Sequence, residues 1–337
     1  MAQQDLTEWD DDLTVSAEEE YAALLRAIRW AKGFGLLFVQ CSPAEGTRLI
    51  ERTRADVAQK TVAVLELNEA ITDLHATVAA YPDIEQTQVL FIRGLEQSLV
   101  PYIKPGYGSE GDYYAKDTVP KLLGKLNLQR ERFKADFPVC FVFLVPRYAM
   151  KYLIRRAADF FDWRSGVWEF VPPQEEQQQT SARLLQEGAY QKYLSWTHAQ
   201  RRQRVLEIYD LLTQPEALAS EASALYVEQG NLLLADQDFA TAIAAYDAAL
   251  ALQPDDPTAL YNKGIALSNL GRYEVAIAAY DAALALQPDA PSALNNKGYA
   301  LSNLGRYEAA IAAYDAALAL QSDDPTALNN KGLALRN

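Results

Sequence analysis

The feature that constrains this chain most is a nearly literal internal repeat. Pro257-Thr-Ala-Leu-Tyr-Asn-Lys-Gly264, Pro291-Ser-Ala-Leu-Asn-Asn-Lys-Gly298 and Pro325-Thr-Ala-Leu-Asn-Asn-Lys-Gly332 recur at intervals of 34 residues, and a diverged copy begins near Ser223 with Gly230 in phase. A period of that size is one supersecondary unit that cannot bury its apolar face alone and must stack on its neighbours. Within a copy, small, large and turn-forming residues keep fixed places. Leu260, Gly264 and Leu267 share a helical face, and Gly271 stands where the first helix should end. Tyr273, Ala276, Tyr280 and Ala283 form the stripe of a second helix, which Pro288 closes. The third copy repeats this through Leu294, Gly298, Leu301, Gly305, Tyr307, Ala310, Tyr314 and Ala317, with Ser322 in place of the closing proline. The first offers Tyr226, Gly230, Leu233, Phe239, Ala242, Tyr246, Ala249 and Pro254.

This pattern resembles the tetratricopeptide-repeat (TPR) family over Ser223 to Asn337. The resemblance implies an all-α solenoid whose first helices line a concave groove that holds a protein or peptide partner. The residues it places toward the groove are Thr258, Tyr261, Ile265, Ser268 and Asn269, then Ser292, Asn295, Tyr299, Ser302 and Asn303, then Thr326 and Asn329. Asn262, Asn296 and Asn330 match the family's recurring asparagine, which implies support between neighbouring repeats. The groove so defined is neutral. It lacks the Lys/Arg set with which some members clamp a C-terminal carboxylate, and its amides and tyrosines suit an extended peptide or a helix. The fourth copy stops after one helix, so either the natural chain continues beyond Asn337 or that helix is a terminal cap. Self-association into a homo-oligomer stays open.

Before the array the pattern changes. Residues 1–16 read as an acidic tail carrying Trp9, residues 17–171 as an α/β domain, and 172–222 as a linker with connector helices. Buried strands are expected at Gly35–Gln40, Thr61–Leu67, Val89–Ile92 and Val139–Val145, with an edge strand at Val167–Phe170. Helices are expected at Ala17–Trp30, Thr47–Val57, Ile71–Tyr81, Lys121–Asp136 and Arg147–Arg156. Continuous apolar strands alternating with helices predict a three-layer domain with a mostly parallel sheet. Pro172 to Thr180 reads as the linker, Ala182 to Leu212 as mostly helix with Arg201, Arg202 and Arg204 clustered, and Lys104 to Tyr114 as a Gly-rich loop.

Ligands of such sheets bind beyond the carboxyl ends of the strands, where Cys41–Arg48, Arg93–Glu96 and Pro146–Tyr148 would meet. Their order and spacing resemble a P-loop NTPase of the signal-transduction (STAND or AAA-related) kind, with degenerate motifs. A phosphate loop of the form G-x-x-x-x-G-K-[ST] is replaced by Cys41-Ser-Pro-Ala-Glu-Gly46-Thr47-Arg48, and the strand expected to end in an acid ends in Arg93, with Glu96 further on. Without the lysine and the metal-holding acid, ordinary ATP hydrolysis is not expected. The resemblance leaves a residual site for phosphate, ATP or GTP on the Gly46 and Thr47 N–H groups with Arg48, Arg93 or Arg147. A domain kept as scaffold is the favoured reading, and no catalytic residue, metal or cofactor is expected. Together with Asn127-Leu-Gln-Arg-Glu-Arg-Phe133 and Asp159-Phe-Phe-Asp-Trp-Arg-Ser-Gly166, the arrangement is similar to the N-terminal module of large cyanobacterial-type TPR proteins.

Bulk composition narrows the classes further. A net charge of -14 and a sequence pI near 4.7 argue against a phosphate-tracking nucleic-acid surface. The longest apolar runs, such as Phe137–Pro146, are too short to span a membrane, and the N-terminus lacks the charge and apolar order of a signal peptide. Cys41 and Cys140 are the only cysteines, which predicts a reducing, cytoplasmic setting, and with His75 and His198 they are too dispersed for a zinc site. Cys41, at a strand end, could serve as an activated thiolate, but a buried structural thiol is the simpler expectation. Arg155, Arg156 and Arg164 near Asp159 and Asp162 read as ion pairs around the Phe160, Phe161 and Trp163 cluster rather than as an anion site.

Overall fold

In the first part of the chain, side-chain period decides which face of each strand meets which helices. A computed structural model describes residues 16–102, 120–212 and 221–336. Trp9 with the acidic tail, the Gly-rich Lys104–Tyr114 segment and Asn337 lie outside the described residues. The described residues divide into two compact units, 16–102 with 120–173, and 174–212 with 221–336.

The first unit holds a five-stranded parallel sheet in the order β2-β3-β4-β1-β5: β1 (Gly35–Gln40), β2 (Val62–Glu66), β3 (Val89–Arg93), β4 (Cys140–Val145) and β5 (Gly166–Glu169). Leu37 and Val39, Val89 and Phe91, and Val142 and Leu144 share one core with Tyr21, Leu24 and Ile28 of α1 (Ala17–Trp30) and Leu49 and Ile50 of α2 (Pro43–Asp56). The alternate residues Phe38, Phe141 and Phe143 face the opposite way. They meet Phe133 of α4 (Lys121–Asp136) and Phe160 and Phe161 of α6 (Ala158–Phe161) at ring-centroid distances of 4.8–6.5 Å. The short α3 (Leu74–Ala79) and α5 (Arg147–Arg156) complete the unit. A period of two thus splits the strands between two helical layers.

Two expected boundaries are corrected. The helix after β1 begins at Pro43, not Thr47, because Ser42 caps it through Glu45 N–H at 3.2 Å and Pro43 takes its first position. The expected linker at Pro172–Thr180 is mostly helix. Only Pro172 and Pro173 precede α7 (Gln174–Glu187), whose Gln177, Ser181 and Leu184 are buried.

The described residues of the second unit form helices and the turns between them. After α7 come α8 (Tyr190–Ser195) and α9 (His198–Leu212), then the pairs α10 (Ala222–Ala235) with α11 (Phe239–Leu252), α12 (Pro257–Asn269) with α13 (Tyr273–Leu286), and α14 (Pro291–Asn303) with α15 (Tyr307–Leu320), then α16 (Pro325–Leu335). Within each pair a glycine of the first helix receives a tyrosine ring of the second: Gly230 with Tyr246, Gly264 with Tyr280, Gly298 with Tyr314. The turns at Gly271 and Gly305 take φ of +72° and +74°, which glycine adopts without strain. The Arg201–Arg204 cluster docks the connector. Arg201 Nε lies 2.9 Å from buried Asp236 Oδ1, and Arg204 Nη2 lies 2.7 Å from Glu187 Oε2.

Candidate functional site

At the carboxyl end of the sheet, β1 and β4 lie side by side while their outgoing connections run to opposite flanks, so the crevice between them is the topological switch point. Only Cys41 and Ser42 separate β1 from α2, too little chain for a loop that wraps a phosphate. Gly46 is inside the first turn, its N–H donating to Ser42 O at 2.9 Å, and a Cβ there would sit 3.2 Å from Leu144 Cδ1. The Gly46 N–H expected to hold phosphate is therefore spent within the helix, which corrects that expectation.

The expected cations are also engaged. Arg48 Nη2 lies 2.8 Å from Glu45, and Arg93 bonds Glu66 at 2.6 Å and Thr47 Oγ1 at 3.1 Å. Arg147 opens α5, apart from those pairs in sequence. Burial pushes the Cys41 thiol up to about 12, and the nearby Glu45 and Glu96 charges push the same way. A thiol so held is protonated at neutral pH and is not an activated nucleophile. Arg164 lies over the Phe161 ring at 4.6 Å and 3.5 Å from Asp162, so the aromatic cluster is braced by ion pairing and cation–π contact.

In the helical unit the first-helix residues fall into three sets. Thr258, Tyr261 and Ser292 line one cavity of about 150 Å³ with Pro257, Gln287 and Pro291. Tyr261 is half-buried there, its hydroxyl accepting from Asn296 Nδ2 at 3.1 Å, and burial raises its pKa. Ser268 and Ser302 instead bond the Tyr280 and Tyr314 hydroxyls, and Ile265 packs in the repeat core. Asn269 and Asn303 turn back on their own helices, donating to Ile265 O and Tyr299 O at 2.9 Å each. Tyr299, Thr326 and Asn329 are exposed. Asn295 is a correction: it is 7% exposed and accepts from Asn330 Nδ2 at 3.3 Å, so it joins successive repeats instead of facing solvent.

Asn262, Asn296 and Asn330 each donate to a side chain of the preceding copy, reaching Asn231 Oδ1 at 2.8 Å, Tyr261 and Asn295 respectively. Asn231 also accepts from the Tyr246 hydroxyl at 2.9 Å. Asn231, its neighbour Glu228 and Tyr190 of α8 were missed by the sequence reading. The signal for Glu228 was present, because it falls in register with Asn262 in the diverged first copy.

Comparison with known proteins agrees with the repeat architecture. The tetratricopeptide repeat family model matches residues 227–291, 261–325 and 295–337, so the C-terminal region of this chain carries TPR repeats. No curated protein matches the sequence. Solved structures that resemble it include the Arabidopsis OM64 TPR domain (24% identity, TM-score 0.35, covering 35% of this chain and 98% of that one). Others are the Aspergillus fumigatus Sgt2 TPR domain (23% identity, TM-score 0.33, covering 37% and 81%) and the second TPR domain of human RPAP3 in complex with an HSP70 peptide (18% identity, TM-score 0.34, covering 35% and 99%). Among the described residues no helix is long and apolar enough to cross a membrane.

Proposed function

We propose that this protein is an interaction adaptor whose TPR arm holds a peptide segment of another protein, while the α/β unit serves as a catalytically silent scaffold. The observation that carries the reading is the cavity on Thr258, Tyr261 and Ser292, where successive first helices leave an aromatic and two hydroxyl side chains around one small space. Concave sites that combine apolar lining with a few polar groups are the usual form of a recognition pocket. An intracellular, cytoplasmic partner and no cofactor belong to the same proposal.

The test is selection of peptides from a random display library on the whole chain. Selected peptides should bind a Tyr261→Ala/Tyr299→Ala variant at least tenfold more weakly, with helical circular dichroism unchanged. Equal affinity for both proteins would place binding elsewhere.

A second reading, a nucleotide-controlled switch of the P-loop (STAND-like) kind, draws support from the switch-point crevice between β1 and β4. Against it stand the short β1–α2 connection and the Arg48–Glu45 and Arg93–Glu66 pairs. Calorimetric titration with ATP, ADP and GTP separates the two: micromolar binding lost in Arg48→Ala would favour the switch, and no heat would remove it.

A further inference from the structure

The repeat register places one carboxylate where every later copy carries an amide. Counting back 34 residues from Asn262 falls on Glu228 in α10. Asn262, Asn296 and Asn330 each spend an N–H₂ on the copy before, and an ionised glutamate has none to spend. Glu228 is nonetheless 8% exposed. Asn231 hydrogen-bonds the carboxyl, while Oε1 has no hydrogen-bond partner. Among the described residues it meets no Lys or Arg. A buried carboxylate left in that state is costly, and a cation supplied from outside would relieve the cost.

The surroundings suit a cation. The turn between α7 and α8 presents Gly188 to the carboxyl, where a Cβ would fall 2.6 Å from Oε1 and 3.0 Å from Oε2, so at that residue the turn meets the carboxyl with backbone alone. Glu228 and Tyr190 both act electrostatically on Tyr246, and Tyr190 also acts on Tyr261. Through Asn231, which also accepts from the Tyr246 hydroxyl and from Asn262, Glu228 belongs to the polar row between the first two copies. Tyrosine faces attract cations, and a long aliphatic stem packs along them while its charged head reaches a carboxylate.

We propose that Glu228 is the recognition point for a lysine or arginine side chain of the peptide held by the first helices of the array. The inference rests on the peptide-binding reading above and adds the chemistry of the ligand. An anionic chain terminus would be repelled at this position, so the selectivity is the reverse of a carboxylate clamp.

The experiment compares peptides selected by random display at pH 8 on the full chain and on Glu228→Asn, which installs the amide used at the same register in the later copies. Peptides selected on the native protein should be enriched in Lys and Arg. Replacing the basic residue of a selected peptide by Gln should weaken binding at least tenfold on the native protein and leave Glu228→Asn unaffected. Selected peptides with no basic bias, or a Lys→Gln loss equal on both proteins, would overturn the assignment of Glu228 while leaving the groove reading intact. Failure to select any peptide, or peptides indifferent to Tyr261→Ala/Tyr299→Ala, would overturn both.

Discussion

Each of the three helix pairs closes a tyrosine ring over a glycine, and the fit leaves no room for a methyl group. A Cβ on Gly264 would come 2.5 Å from Tyr280 Cε1, whereas one on Gly332 in α16 meets nothing within 4 Å. Alanine favours a helix over glycine by about 1 kcal/mol, but overpacking a tight core costs about 1–3 kcal/mol. Gly264→Ala is therefore expected to lower stability in urea titration, and Gly332→Ala to leave it unchanged or raise it by up to about 1 kcal/mol. Equal effects at the two sites would remove the tyrosine socket as the reason for the glycine. Glu228 adds a pH dependence at the same scale. Burial raises its pKa from 4.5 to about 7 against a hydrogen bond from Asn231 on its own helix; Gly188 of the α7–α8 turn packs on the carboxyl, and the Glu228 charge acts on Tyr246. The folded state keeps a proton that the unfolded chain releases, so this stability is fully present below about pH 4.5 and is lost as pH rises through about 7. Relative to the native protein, Glu228→Gln should gain on the order of 3 kcal/mol between pH 4 and pH 8, read as the change in their stability difference.

At the scale of elements, near-identical helices differ in how they begin. Asp256 caps α12 by accepting from Thr258 N–H at 2.8 Å and Ala259 N–H at 3.1 Å, and Asp324 accepts from Thr326 N–H at 2.8 Å at the start of α16. The equivalent position before α14 is Ala290, which has no side-chain cap. Its backbone is extended there as at Asp256, so Ala290→Asp should stabilise the array by about 0.5–2 kcal/mol, and Asp256→Ala should cost a similar amount, both measured in urea. No gain from Ala290→Asp would mean that the loop before Pro291 is held apart from cap geometry. The array helices were legible because a strict period fixes every small, large and turn position at once. The start of α2 was not, because the Cys41–Arg48 segment has the spacing of a phosphate loop, whereas the cap at Ser42 and the proline at Pro43 set the boundary. The Gln- and Glu-rich segment after Pro173 has a linker's composition, yet its buried face of Gln177, Ser181 and Leu184 makes it helix. Of the candidate site, Tyr261 and its two hydroxyl neighbours were brought together as a cavity. Asn295 was misplaced, because one sequence cannot tell a first-helix residue that faces solvent from one that touches the next repeat.

At the scale of the molecule, the chain builds two cores of different kinds. One is a parallel sheet between helical layers, whose strand pairings join residues far apart in sequence. The other is a stack in which each helix pair meets chiefly its sequence neighbours, so its stability is nearly a sum of local terms. Chains with separate cores commonly depart from a single all-or-none transition. Denaturation should therefore show two transitions. Trp163 and Trp168 lie in the first unit and Trp196 packs in the second, so tryptophan fluorescence read on a Trp196→Phe background weights the first core, while far-UV circular dichroism weights the helical array. Leu144→Ala, which empties part of the sheet core beside Gly46, should move the fluorescence-weighted transition by about 2–5 kcal/mol and leave the array's midpoint in place. Gly264→Ala should do the reverse. If both substitutions shift a single coincident transition, the units are one cooperative structure, and a ligand that stabilises the array through Glu228 would then also stabilise the sheet by linkage.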